Sequence, residues 1–233
     1  TKDDFPITDQ KFENYKVKFA GDDTGVIYLN NNIEADDYED KTTGEVTEGR
    51  ADVSLSDVTL HLGQRDDVLN NNNLVLNSGA LNMINNQTGI AALNDFVVNG
   101  DTKFYADVDL ANETMDRITA NNYGSHQGKL IVSGMNLISD APEDRPVTEI
   151  YFAEQGLKDN VINGVSNGTG DLPDSTQTTL YTPIYKYTAT YDNRDDGGYF
   201  VFARPGSGTG NSGTSSDAFN PSVLVSPVTN QAA

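Results

Sequence analysis

The chain has 233 residues and a formal net charge of −20, and it contains neither cysteine nor tryptophan. The lack of cysteine excludes disulfide frameworks, thiolate zinc sites and cysteine nucleophiles, and the acidic excess argues against a nucleic-acid partner, which requires clustered Lys and Arg. No apolar run approaches the roughly 18 residues of a membrane-spanning helix, and 36% hydrophobic residues in recurring short runs are too many for a disordered chain.

The first fifty residues predict two short strands followed by a polar stretch. Alternating apolar and polar residues at 15–19 and a short apolar run at 26–29 are typical of strands. Residues 34–50 are polar and begin with an acidic run. The chain starts at Thr1 without a leader pattern, so we expect it to be a fragment of a longer chain.

From Ala51 onward the alternation becomes more regular. Each apolar run is short and is bounded by Asn, Gly, Asp or Ser, which favour turns. The predicted strands lie at 53–62 with a break at Ser56-Asp57, and at 74–76, 81–83, 96–98, 104–110, 130–137 and 150–152.

Two stretches share a pattern that indicates a repeating coil of strands. Residues 73–83 and 128–137 each contain an apolar strand, a Ser-Gly corner and a second alternating strand. Asn runs at 30–32 and 70–73 fit the bends of such a coil, where stacked Asn side chains would hydrogen-bond along the axis. The sequence therefore predicts an all-β parallel solenoid, and a β-sandwich or jelly roll is the alternative.

The C-terminal part predicts a hairpin and then a tail. Alternating runs at 185–191 and 199–202 flank a turn-rich segment at 193–198. We expect residues 1–204 to form one β-rich domain, less regular over 1–50 and built of coils over 51–204. A Gly/Ser-rich linker at 205–217 and a tail segment at 218–233 follow.

One segment resembles a known family. Residues 100–118 (GDTKFYADVDLANETMDRI), with the flanking coils at 74–83 and 128–137, resemble the late passenger region of bacterial autotransporters, and residues 181–204 and 217–228 resemble the passage towards the translocator. The resemblance covers about residues 50–230. It implies a right-handed parallel β-helix with short irregular rungs, secreted and displayed at the surface of a Gram-negative bacterium.

No group of residues predicts catalysis. His61 lies on the polar face of a predicted strand and His126 lies in a loop, and neither accompanies a nucleophile motif. Asp107 and Asp109 are two residues apart and are expected on one solvated face, with Ala106, Val108 and Leu110 pointing inward. The sequence therefore assigns no catalytic residue.

Calcium is the one cofactor that the sequence suggests. The loop at 21–25 carries Asp22 and Asp23, and the loop at 192–197 carries Asp192, Asp195 and Asp196. Carboxylates and carbonyls are the oxygen ligands that Ca²⁺ takes, although neither loop has the spacing of an EF-hand. Solvated surface carboxylates are the alternative interpretation.

These observations predict a non-enzymatic, extracellular structural or adhesive protein. Its partners would be further copies of itself, in a fibre or surface layer, and a host or neighbouring-cell surface. Segments 12–19 and 219–228 are candidates for strands donated to a neighbour. The alternatives are a β-helical polysaccharide-cleaving enzyme, which would use paired carboxylates, and a passive passenger stalk.

Overall fold

The computed structural model describes residues 15–164 and 177–205, in which the regular structure is β-strand apart from one 3₁₀ turn, Lys158–Asn160. The prediction of an all-β protein is confirmed. Within these residues no helix is long and apolar enough to cross a membrane. The predicted tail at 218–233, the linker beyond residue 205 and the candidate donated segment 219–228 lie outside the described residues. The strands are β1 (Tyr15–Ala20), β2 (Val26–Tyr28), β3 (Tyr38–Glu39), β4 (Val46–Thr47), β5 (Ala51–Ser56), β6 (Thr59–His61), β7 (Asn73–Leu76), β8 (Ala80–Asn82), β9 (Ile90–Val98), β10 (Thr102–Asp109), β11 (Thr114–Met115), β12 (Arg117–Tyr123), β13 (Leu130–Ser139), β14 (Val147–Ala153), β15 (Val161–Asn163), β16 (Gln177–Tyr181), β17 (Lys186–Arg194) and β18 (Gly197–Ala203).

Two sheets of parallel strands make up the larger part of the described chain. Sheet A has the strand order β1-β5-β7-β9-β12, and sheet B has the order β15-β13-β10-β8-β6-β2, with β11 added antiparallel to β10. The chain passes from a strand of sheet A to one of sheet B and then returns, as in β5 to β6, β7 to β8 and β9 to β10. Each pass therefore adds one strand to both sheets.

Parallel registers place apolar side chains above one another. Val53 pairs with Leu74, and Leu74 pairs with Phe96 in the next strand of sheet A. All three are at most 1% exposed and belong to one continuous core that includes the inward side chains of sheet B. A modest apolar fraction is sufficient because each inward residue is covered from both neighbouring strands.

Side-chain ladders connect successive strands of sheet A on the outward side. The amide Nδ2 of Asn73 donates to the Asp52 carboxylate at 2.8 Å, and the Nδ2 of Asn94 donates to Asn73 Oδ1 at 2.8 Å, each across 21 residues. Asn99 donates in the same way to Asn77. The predicted hydrogen bonding between stacked Asn side chains is therefore confirmed at Asn73.

Residues 147–153 and 177–203 form a separate antiparallel sheet, here called the end sheet, with the order β14-β18-β17-β16. Strands β17 and β18 form a hairpin in which Arg194 pairs with Gly197, so the hairpin predicted around 193–198 is confirmed. The Phe152 ring of the end sheet lies 5.7 Å from Phe104 of sheet B and 5.2 Å from Phe200. The end sheet therefore shares the core of the parallel sheets.

The second predicted Ser-Gly corner is wrong. Strand β13 continues through Ser133 and Gly134, because the register against β10 shifts there and leaves Ser133 unpaired as a bulge. A Cβ on Gly134 would lie 2.6 Å from the ring of Tyr105 in β10, so this close approach explains the glycine. The corner at Asn77-Ser78-Gly79, in contrast, separates β7 from β8 as predicted.

Strands β1 and β2 are the outermost strands of sheets A and B at their N-terminal side. Strand β1 pairs in parallel register with β5 of the same chain, from Tyr15 opposite Ala51 to Ala20 opposite Ser56. Residues 15–19 of the candidate donated segment therefore pair within their own chain. In the polar stretch 34–50, strands β3 and β4 form a two-stranded antiparallel pair that the sequence did not predict.

Candidate functional site

A groove of about 300 Å³ opens where the beginnings of β9 and β12 meet β11 and the end sheet. The apolar side chains of Met115 and Ile150 are buried beneath it, and Ile90 at its margin is 41% exposed. The groove is also lined by polar groups and an aromatic ring, which are Thr88, Glu113, Thr114, Arg117 and Tyr151.

An arginine and a tyrosine form one wall of this groove. The Arg117 guanidinium lies over the Tyr151 ring, with its central carbon 5.3 Å from the ring centroid. The Tyr199 ring packs edge-on against Tyr151 at 5.2 Å and holds its plane. This wall therefore presents a cation beside a fixed aromatic surface.

The two charged side chains of the groove lining, Glu113 and Arg117, differ in their ion pairing. The Glu113 carboxylate forms an ion pair with Arg145, whose guanidinium also donates to the carbonyl of Leu110 at 2.6 Å. Among the ion pairs and side-chain hydrogen bonds found in residues 15–164 and 177–205, none includes the guanidinium of Arg117. The remaining charge of the lining is therefore the positive charge of Arg117.

The adjoining wall, formed by residues 88–89 beside Arg117, is held by hydroxyl and backbone groups. The Oγ1 atoms of Thr88 and Thr114 are 2.7 Å apart and share a hydrogen bond. The N–H of Gly89 donates to the Asp116 carboxylate at 2.8 Å. A Cβ on Gly89 would overlap the Asp66 carboxylate, so this wall requires a glycine.

Beneath the groove lies Asp116, a fully buried carboxylate. One of its oxygens accepts from Gly89, and the other accepts from the backbone N–H of Asp107 at 2.6 Å. Burial, together with the nearby carboxylates of Asp66 and Asp107, raises the pKa of Asp116 to about 8. Burial is also the main cause that raises the pKa of Asp66 to about 6. Asp116 is therefore largely protonated at neutral pH.

The expectation that Asp107 is solvated is wrong. Its side chain alternates with the inward Ala106 and Val108 as predicted, but it is 0% exposed because the turn at 85–87 covers it. The backbone N–H groups of Asn85, Asn86 and Gln87 donate to its Oδ2 at 2.6, 2.6 and 3.2 Å.

Asn136 also donates to the other carboxylate oxygen of Asp107. These contacts occupy both oxygens, so we assign Asp107 a structural role in holding the turn at 85–87. Asp109, in contrast, is only partly buried and accepts from the side chain of Asn112.

Neither histidine is among the groove-lining residues, and each has its own contacts. The Nδ1 of His61 accepts from Gly63 N–H at 3.0 Å, and its ring packs 4.9 Å from Tyr28. The Nδ1 of His126 accepts from the Val98 N–H at 2.9 Å, and burial lowers the pKa of His126. The Nδ1 atom of each histidine therefore accepts a hydrogen bond from a backbone N–H, which is a structural role.

The aspartates suggested for calcium lie in two separate turns. Asp22 accepts from the hydroxyl of Thr24 at 2.7 Å, and Asp23, next to it, has a left-handed backbone with φ of 67°. Asp192 accepts from Arg194 at 2.7 Å, and Asp196 accepts from a tyrosine hydroxyl. In the described residues no three His, Cys, Asp or Glu side chains are grouped as metal ligands.

In the second of these turns, the Asp195 carbonyl accepts from the Gln155 amide. Calcium binding at either turn stays a prediction.

The groove was not predicted from the sequence. Its walls come from the segments 88–90, 113–117 and 150–151, which are far apart in the chain. The only local sequence pattern at the groove is Asp116 followed by Arg117 at the start of a strand, and this pattern is not specific to binding sites. Comparison with known proteins gives no match among protein-family models, curated proteins or solved structures.

Proposed function

We propose that the chain is a non-enzymatic structural and adhesive module of an extracellular surface protein, built as a right-handed parallel β-solenoid of the autotransporter-passenger kind. The observation that carries the proposal is the regular passage of the chain between two sheets of parallel strands. In a jelly roll, the alternative considered above, neighbouring strands are antiparallel. The right-handed sense follows from the strong preference of parallel strand connections for that hand.

The N-terminal side of the two sheets supports a role in association. Strands β1 and β2 have one paired neighbour each among the described strands, which leaves the other edge of each strand without one. Large apolar side chains are exposed there, with Tyr15, Val26 and Tyr28 at 61%, 52% and 64%. Unpaired edges with exposed apolar side chains favour the addition of another strand.

The occupant that fits this edge best is a second copy of the chain. The end sheet packs against the opposite side of the parallel sheets, with Tyr187 donating towards Asp140 and the Asn163 amide donating to Ala189. Among the described strands, the N-terminal edge is the one that the end sheet does not cover, and a two-fold interface between two copies closes it. This arrangement favours a dimer over an open fibre.

Sedimentation velocity between about 1 and 100 µM tests the association. We expect a dimer whose fraction rises with concentration, and a lower fraction in the double variant Val26→Lys, Tyr28→Lys, because Lys on an edge strand opposes pairing. Ile184→Lys is the matched control, since Ile184 is 64% exposed but lies beside the end sheet. A monomer at every concentration would overturn association and leave a passive stalk.

Disulfide trapping tests the solenoid itself, and the chain has no native cysteine to interfere. Asp52 and Asn73 are register partners in parallel strands, so the pair Asp52→Cys, Asn73→Cys should oxidise readily. Asp52→Cys combined with Asn122→Cys is the control and should stay reduced. If the first pair does not oxidise, the parallel stacking is wrong.

A further inference from the structure

Among residues 15–164 and 177–205, Arg117 is the arginine whose guanidinium donates neither to a carboxylate nor to a backbone carbonyl. The other arginines of the described residues donate to carboxylates or to backbone carbonyls: Arg50 to Glu48, Arg65 to Asp67, Arg145 to Glu113, Arg194 to Glu149 and Arg204 to Pro142. An arginine without such a partner is available to an anionic ligand, since a guanidinium pairs with a carboxylate through two parallel hydrogen bonds.

The size of the groove and the residues that line it beside Arg117 indicate which class of anionic ligand it would bind. The volume of about 300 Å³ is at the small end for ligand sites and fits one or two sugar rings. The Tyr151 ring and the exposed Ile90 offer apolar surface for the C–H face of a sugar, and the hydroxyl of Thr88 offers a hydrogen-bonding group. Nucleic acid does not fit, because it requires several cations along its backbone.

The two acidic groups next to Arg117 in and beneath the groove are engaged elsewhere. Glu113 is paired with Arg145, and Asp116 lies fully buried beneath the wall rather than in the groove. We propose that this groove binds an acidic saccharide, with the carboxylate of a uronic acid on Arg117 and its ring against Tyr151. The inference is independent of the association at the N-terminal edge, which involves other strands.

Titration calorimetry with digalacturonate, and with its uncharged galactose disaccharide counterpart, tests the proposal. We expect the charged sugar to bind at least ten-fold more tightly than the neutral sugar. Arg117→Gln should weaken binding of the charged sugar at least ten-fold, because it removes the guanidinium charge. Arg65→Gln is the matched control, since Arg65 is an exposed arginine paired with Asp67 outside the groove, and it should bind as the wild type does.

Binding by the wild-type chain is measured independently of any variant. Backbone amide shifts in NMR should move on addition of digalacturonate at residues 88–90, 114–117 and 150–151, and should not move at residues 26–28 of β2, at the far edge of sheet B. Absence of binding at millimolar sugar, equal binding of the neutral sugar, or shifts confined to other residues would each overturn the proposal. A failure here leaves the dimer measured by sedimentation unchanged, so the two proposals fail separately.

Discussion

A single buried asparagine shows how polar residues hold the coils in place. Asn72 is 3% exposed, and its Oδ1 accepts from the Ala51 N–H at 2.8 Å while its Nδ2 donates to the Ile33 carbonyl at 2.8 Å. Its neighbour Asn71 has a left-handed backbone with φ of 64°, which asparagine tolerates better than most residues. The Asn run at 70–73 therefore forms a turn and satisfies backbone groups of adjacent segments.

Asn72→Ala should lower the free energy of unfolding by about 2–3 kcal/mol, because it leaves a buried N–H and a partly buried carbonyl without the Asn72 side chain as partner. Urea denaturation measures this change. The control is Asn32→Ala, which removes one exposed hydrogen bond to Glu34 and should cost less than about 0.5 kcal/mol. Equal effects of the two substitutions would contradict the role of Asn72.

The protonation of Asp116 should make stability fall as pH rises through the neutral range. Its pKa is raised to about 8 in the folded protein, whereas an unfolded aspartate has a pKa of about 3.9. Between these values the folded state binds one proton more, so raising the pH destabilises it by at most about 1.4 kcal/mol per pH unit. His126, with a lowered pKa, acts in the opposite direction below about pH 6.5.

Urea denaturation at pH 6.5 to 8.5 isolates the contribution of Asp116. The wild type should lose stability across this range, and Asp116→Asn should show a flatter dependence whatever its absolute stability, because the titrating group is gone. Asp159→Asn is the control, since the pKa of Asp159 is lowered and it titrates in acid. A wild-type stability that rises with pH here would contradict the assignment.

The sequence predicts well where most strands lie in the chain, but it predicts poorly which distant segments contact them. Apolar alternation is local, so most strands and the hairpin at 193–198 were found from it. The bulge at Ser133 and the burial of Asp107 depend on contacts with β10 and with the turn at 85–87, which are distant in sequence. No local pattern carries that information, and the same is true of the groove at Arg117.

Two glycines in the connections between sheets A and B lie too close to neighbouring backbone to carry a side chain. A Cβ on Gly100 would overlap the Asn77 carbonyl, and one on Gly128 would overlap the backbone of Gly100. Gly100→Ala should therefore destabilise the fold by about 1–3 kcal/mol in urea denaturation, because backbone must move. Gly25→Ala is the control, since its Cβ would meet Val58 at 3.4 Å, and it should change stability by less than about 1 kcal/mol. A neutral Gly100→Ala would show that the connection is loose.

For the whole molecule, the net charge of −20 opposes association of two copies. Charges are screened over about 10 Å at 0.1 M salt and about 3 Å at 1 M. The dimer fraction measured by sedimentation should therefore increase when sodium chloride is raised from 50 mM to 500 mM. Adding a calcium chelator at constant ionic strength is the control and should leave it unchanged. A fraction insensitive to salt would mean that strand pairing and apolar burial outweigh repulsion.

The two parallel sheets also determine how the molecule would respond to mechanical load. In both sheets the hydrogen bonds run from one strand to the next, along the direction in which strands are stacked. A tension applied along that direction loads the ladders in series, so strands should separate one at a time rather than together. The strands next to the end sheet should separate last, because the Phe152 and Phe200 rings also join strands there. Extension by pulling should therefore begin at β1 and β2.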